Sequence, residues 1–561
     1  MSAAEHAGAR ESHAPAPGQT ATGAASAWPR GEALLSAVRA QHVALALLVA
    51  TGVFIVFTFR QYGISNDEEV QHVYGRLLVE FYASGFVERA AFAYKNLYLY
   101  GGLFDLIAAT LEQIVPMNVW DLRHLLSGAF GLAGLAGTWQ LARLVVGERG
   151  GLVALVLLLL TGGWSGAMFT HTKDVPFAAM MTWALYFTTR FAIRLPAVRV
   201  GDAIGLGVAI GAAFGLRVGA VFAVFYLGVA VLAAAWIGGD DAAARLKILR
   251  RALLALLPAG AVAFALMAVF WPWAVLSPGN LFRAMTTFSH FSFPLDTILD
   301  GVVMKNGEVP GHYLLSYLLV RLPELFLLGI AFALPAGLRA LPILSSRDGR
   351  QSTLILLPVA LAAAFPVVYT LVAAPPLYNG IRHFTFVLPP LAVIAAAGFH
   401  SAWRHGAPWP RTRLAAAAGC LLLALTHVVS LARLHPYEYV FYNAFAGGVH
   451  GSVDRWEQDY WSSSLREAVG LLNAYVAAEG RPHRRHTVAV CAESLQAAAW
   501  LAPGLDVTRN WRAADFFLSA THMNCDAVVK GKIVREIVRD GVVLAIVRDR
   551  RALVGHEREP K

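Results

Sequence analysis

The chain has 561 residues and a formal net charge of +10, with 57% hydrophobic and only 15% charged residues. A soluble globular domain carries roughly 25% charged residues, so this content and a mean hydropathy of +0.55 exclude a soluble enzyme and indicate a polytopic membrane protein. The basic excess does not point to nucleic acid, because Lys and Arg at the cytoplasmic ends of spans give the same sign, and three cysteines are too few for a disulfide-stapled fold.

Residues 1–28 are rich in Ala, Gly, Ser, Pro and Thr and lack the basic-then-apolar order of a cleavable signal peptide. Residues 1–40 therefore read as a disordered cytoplasmic tail. Apolar runs near the length of about 20 residues that a bilayer needs lie at 41–59, 125–142, 151–168, 175–192, 203–216, 219–237, 252–272, 322–338, 353–372, 384–400 and 414–432. The stretch 97–115 carries Asp105 and Glu112 and reads as an interfacial helix instead. With the N-terminus inside, the inside segments hold 17 Lys and Arg in 71 residues and the outside segments hold 10 in 133. That threefold difference in density obeys the positive-inside rule, whereas a span at 97–115 would invert every later loop.

The eleven spans make 41–432 the membrane domain, with long outer loops at 61–124 and 273–321, and place everything after 432 outside. There the pattern changes: 487–491, 515–520 and 541–549 read as strands and 462–480 as a helix ending at Gly480. The expectation is a mainly α, polytopic protein with a small extracytoplasmic α/β domain over 433–561. Cys491 and Cys525 both fall in that domain and can pair if the compartment is oxidising.

Ionisable residues at membrane depth are costly and usually functional, and here the unusual ones gather at the outer ends of spans. In "SNDEEVQHVYG", a helix starting near Asn66 puts Asp67, Gln71 and Tyr74 on one face. Asp67 suits either a first-turn cap or a catalytic carboxylate, while Glu69 reads as solvated surface. In "THTKDVPFAAMMTWALYF", Lys173 and Asp174 stand at the mouth of a span. Arg217 lies in a turn too tight to be solvated and needs a carboxylate or a ligand phosphate. In "PPLYNGIRHFTFVLPP", Arg382 and His383 open a span beside Tyr378 and Asn379. Acids from one loop and bases from three others describe a pocket for an anionic lipid headgroup beside a general base.

These segments, followed in order by "WPWAVLSPGNLF" (271–282), "GHYLLSYLLVRLPELF" (311–326) and "LHPYEYVFYNAFAGGVHGSVDRWEQDYWSSSLREAV" (434–469), resemble bacterial GT-C glycosyltransferases of the family 39, protein O-mannosyltransferase and lipid-sugar transferase type. The resemblance covers about residues 45–550. It implies a GT-C fold in the plasma (inner) membrane. It also implies inverting transfer of a sugar from a polyprenyl-phosphate donor to an acceptor hydroxyl on a lipid, glycan or protein, on the extracytoplasmic side. Carried onto this sequence, Asp67 is the base and Glu68 supports it or orients a ligand. Lys173, Arg217, Arg382 and His383 meet the donor phosphate, and Asp174 fixes Lys173 or touches the sugar. His72 and Tyr378 are further substrate contacts. The aromatic segment from His435 to Trp461 reads as an interfacial belt, with Asp459 and Tyr460 alternatively lining an acceptor path. No ligand spacing marks a metal site, which leaves a divalent cation open. The rival class is a transporter or lipid-sugar flippase, which would place charges near the midplane in repeated halves; no internal repeat is evident.

Overall fold

The computed structural model describes residues 27–289, 295–344, 349–405, 410–480 and 485–557. Most of the tail expected over 1–40 falls outside them. Ten of the eleven apolar runs lie mainly on one helix each: Ala27–Thr58, Val119–Val146, Asp174–Arg194, Val200–Phe214, Val221–Gly238, Ala242–Phe270, Glu324–Leu344, Arg350–Ala373, Leu388–His405 and Pro410–Leu434. The run at 151–168 is broken instead: Glu148–Leu159 ends within it and Gly162–Thr170 turns away by 76°. Seven described helices are long and apolar enough to cross a membrane, or nine if two bent pairs are each one span. Val200–Phe214 falls short with 15 residues, about 22 Å at 1.5 Å per residue. One bent pair turns through 118° between Tyr313–Arg321 and Glu324–Arg339. Pro323 stands at that break, where it removes the amide that would continue the first helix. The apolar windows of Ala242–Phe270 and Pro410–Leu434 are only 6% buried, as expected of helices facing lipid tails rather than water.

Between helices, small residues set the spacing. Gly207 and Gly211, four apart on Val200–Phe214, meet Ala242–Phe270 so closely that added Cβ atoms would lie 2.4 Å from the Ala259 carbonyl oxygen and 2.8 Å from Ala263 Cα, a small-xxx-small contact. The stretch expected at the interface holds only Leu103–Leu111, nine residues and about 14 Å, too short to span. It docks on the ends of two longer helices: Gly102 N donates to Phe270 O (2.7 Å) and Leu103 N to Gly215 O (2.8 Å).

The long loop 273–321 carries structure the sequence reading left out. Asp296–Leu299 pairs antiparallel with Val302–Lys305 through Asp300 and Gly301, both at positive φ (+47° and +86°), the backbone of a two-residue hairpin turn. The C-terminal sheet has five strands in the order Leu505–Val507, His486–Cys491, Phe516–Ala520, Val542–Asp549, Lys532–Arg539. The first three are mutually parallel and the last two antiparallel. Helix Leu465–Ala477 packs on it, and Cys491 is disulfide-bonded to Cys525.

The segment expected as an interfacial belt is not one. Tyr437, Tyr439, Phe441, Tyr442, Trp456 and Trp461 are all buried. Irregular backbone can be buried only if its carbonyls find donors, and fully buried Arg321 supplies them: its guanidinium donates to the carbonyls of Tyr439 (2.6 Å), Phe441 (3.2 Å) and Glu457 (2.7 Å). Those aromatics therefore fill the junction between the helices and the C-terminal sheet.

Candidate active site

The acidic trio separates at the start of helix Glu68–Ala83. Asp67 occupies the N-cap position but makes no side-chain capping bond. Its carboxylate is 43% exposed and accepts from Arg382 Nη2 at 2.9 Å. Glu68 turns the other way. It is fully buried, accepts from the Ser65 amide at 2.7 Å, and lies 3.3 Å from His124 Nε2 and 3.8 Å from Arg123 Nε. The cap and the structural charge thus belong to Glu68, which the fold does not bring to Asp67's partners. Glu69 is partly exposed.

The loop between Ala167–Thr170 and Asp174–Arg194 is buried from Thr170 to Asp174. Asp174, at the first turn of its helix, uses both oxygens on arginines: Oδ1 on Arg217 and Oδ2 on Arg382 Nε at 3.1 Å. It does not pair with Lys173, as had been one expectation. Lys173 instead sits with Nζ 4.4 Å from the centre of the Tyr100 ring, and among the described residues no carboxylate comes within ion-pair distance of it. Burial holds its ammonium down to about 8, against the opposing pull of the Asp105 and Asp67 charges. Arg217 shares the Tyr100 ring at 5.8 Å, and its Nε is buried without a partner.

Arg382 is the centre of the arrangement. It is 7% exposed and bridges Asp67 and Asp174. Its Cζ lies 4.2 Å from the centre of the Trp461 ring and 5.4 Å from that of Tyr378. The Tyr378 ring in turn packs edge-on against His383 at 4.7 Å. Asp67, Lys173, Asp174, Arg217, Tyr378, Arg382 and His383 therefore come together. His72 does not: its Nδ1 faces Glu112 Oε2 at 3.4 Å, and burial lowers its pKa to about 4.

Three neighbours were not assigned to the site from sequence. Tyr100 arrives on the docked 97–115 stretch. His171 and Trp461, 290 residues apart, bond to each other at 3.0 Å, and Tyr460 Oη lies 2.6 Å from the same His171 nitrogen. Behind Arg382, the residues His171, Arg321, Asn379, Tyr439 and Tyr460 line a cavity with room for about one water molecule. Asp459 is spent on the fold, accepting from the amides of Ser463 (2.9 Å) and Ser464 (3.0 Å) ahead of Leu465–Ala477.

Among the described residues no three His, Cys, Asp or Glu side chains gather to hold a metal ion. Of the two mouth carboxylates, Asp174 has both oxygens on arginine, and only Asp67 Oδ1 is left without a protein partner. The site thus offers one open carboxylate oxygen beside three cationic side chains.

No protein-family model and no curated protein matches the chain. Among solved structures it is similar to ArnT from Cupriavidus metallidurans in the apo state, at 14% identity and a TM-score of 0.49 over 92% of this chain and 99% of that one. It is also similar to ArnT bound to undecaprenyl phosphate (13% identity, TM-score 0.47, 90% and 97% of the two chains). The apo oligosaccharyltransferase of Archaeoglobus fulgidus is a third (13% identity, TM-score 0.46, 86% and 70%).

Proposed function

We propose that the protein is an inverting glycosyltransferase of the GT-C type, moving a sugar from a polyprenyl-phosphate donor to a hydroxyl of an extracytoplasmic lipid, glycan or protein. The observation that carries this reading is the single half-exposed carboxylate, Asp67, set by Arg382 at the rim of a cluster holding Lys173 and Arg217. Asp67 Oδ1 takes the proton of the acceptor hydroxyl. The acceptor oxygen attacks the anomeric carbon, and the bond from that carbon to the phosphate oxygen breaks with its electron pair going to the phosphate. Lys173 and Arg217 stabilise the charge left there, the larger part of the barrier reduction in sites of this kind.

The number of free carboxylates supports inversion. A retaining reaction needs a second carboxylate as nucleophile, by analogy with glycosidases, and Asp174 is bound on both oxygens. Arg382 has Nε and Nη2 on carboxylates, so its role is to orient Asp67 more than to receive phosphate. The extracytoplasmic placement is supported by the Lys and Arg distribution and by the Cys491–Cys525 bond, which persists in oxidising compartments. No observation favours the transport alternative, since the charges lie at one end of the helix bundle.

Replacement of Asp67 by Asn keeps the shape and the Arg382 contact but removes the base. Asp67→Asn should reduce product in mass spectra of envelope lipids and glycans by about 10²–10⁴-fold, the contribution of a positioned base, with the protein inserted at the wild-type level. An unchanged product profile would overturn the transferase reading.

A further inference from the structure

Arg382 can bridge Asp67 and Asp174 only while its guanidinium lies in one plane, and the surface it lies on is the Trp461 ring. An indole on irregular backbone is free to turn unless its main chain and its ring are both held. The main chain is held where the Trp461 carbonyl accepts from Gln496 Nε2 at 2.7 Å. The ring is held at the indole nitrogen, which donates to His171 Nε2 at 3.0 Å.

We propose that His171, acting through the Trp461 indole, is the positioning residue that sets Arg382 across the two carboxylates. The inference rests on the transferase reading above. Because the indole N–H can only donate, His171 Nε2 must be the unprotonated nitrogen. Its Nδ1 then carries the proton toward Thr170 Oγ1, 3.1 Å away. Burial, the largest influence on His171, pushes its pKa down to about 3, which agrees with a neutral ring. Tyr460 Oη, 2.6 Å from Nε2, shares the same lone pair and holds the imidazole from a third direction. Thr170, His171, Trp461 and Arg382 thus form a line of contacts that ends on Asp67. Lys173 makes no bond to a member of it among the described residues, and Arg217 reaches it only through Asp174, which it shares with Arg382. A fault in the line should therefore disturb the base, which Arg382 meets directly, far more than the phosphate site.

The test compares full-length His171→Phe, His171→Gln and Trp461→Phe with wild type. Product is read from envelope extracts by mass spectrometry. Undecaprenyl phosphate affinity and melting temperature are read on the detergent-purified chain. Phe at 461 keeps a ring under Arg382 but loses the N–H, and Gln at 171 offers a carbonyl where Nε2 stood. His171→Phe and Trp461→Phe should each lower product by at least about tenfold, the scale of a misplaced reacting group, with undecaprenyl phosphate affinity within about twofold of wild type. His171→Gln should recover most of that loss.

Wild-type product from His171→Phe, equal losses in the Phe and Gln variants, or a parallel fall in undecaprenyl phosphate affinity would each overturn the positioning role. If His171→Phe does not fold, Trp461→Phe and His171→Gln carry the comparison. Asp67→Asn separates the two levels. Product surviving that change overturns the reaction itself, while its loss beside an active His171→Phe overturns only the role of His171.

Discussion

Lys173 is a buried ammonium resting on an aromatic ring, with no carboxylate among the described residues within ion-pair distance. Its proton is lost as pH rises through about 8, far below the ordinary lysine range. If Lys173 meets the donor phosphate as proposed, undecaprenyl phosphate affinity should weaken above that pH in a titration of the purified chain, and Lys173→Arg, which stays charged, should flatten the alkaline limb. Glu68 illustrates the opposite case, an acid beside the proposed base that serves the fold. Glu68→Gln removes one of two carboxylates facing buried Arg123, which keeps Asp105 at 3.0 Å, and weakens the contact to His124, a loss of about 1–3 kcal/mol for imperfectly paired buried groups. The melting temperature should drop, and product should fall only in proportion to folded protein. The difference between adjacent carboxylates was only half legible from sequence. Helical spacing placed Asp67 with Gln71, but the inward turn of Glu68 depends on Arg123 and His124 from another helix.

At the scale of elements, the apolar runs were readable because lipid imposes one rule on every span: about 20 residues with the backbone satisfied internally. The hairpins were equally present in the sequence and were passed over. Asp300–Gly301 and Asp540–Gly541 are both Asp-Gly pairs at positive φ, each joining two short strands, the strongest short-range hairpin signal. Contacts between elements were not readable in this way. Gly63 has no pattern to announce it, yet a Cβ there would stand 2.2 Å from the Ser463 carbonyl oxygen, where the acidic loop crosses the start of the C-terminal domain. With backbone on both sides there is little room to yield. Gly63→Ala should cost about 1–3 kcal/mol, as overpacking does, and appear as a lower melting temperature in detergent.

For the whole molecule, the C-terminal domain is part of the site's construction. Gln496, from that domain, donates to the carbonyls of both Ile64 and Trp461, tying the acidic loop to the ring beneath Arg382. Gln496→Ala leaves two buried carbonyls without donors, each about 1–3 kcal/mol. It should lower both melting temperature and product, although the residue lies outside the reacting cluster. The change in composition after residue 432 separates this domain from the spans in the sequence, and nothing in that change shows that it reaches the charged cluster. The aromatic segment joining them looked like an interfacial belt because Tyr and Trp carry that meaning at a span's end; its burial depends on Arg321, more than a hundred residues earlier in the chain.

The Gln496 bond also fixes a moment in the life of the protein. Asp67 is made before most of the long helices and Gln496 after Pro410–Leu434, so these helices can be threaded into the bilayer while the cluster still lacks this tie. A chain without the sheet that carries Gln496 would hold each charged group of the mouth and lack the bond that ties Ile64 to Trp461. On the transferase reading, activity would then wait on the docking of that sheet against the helices.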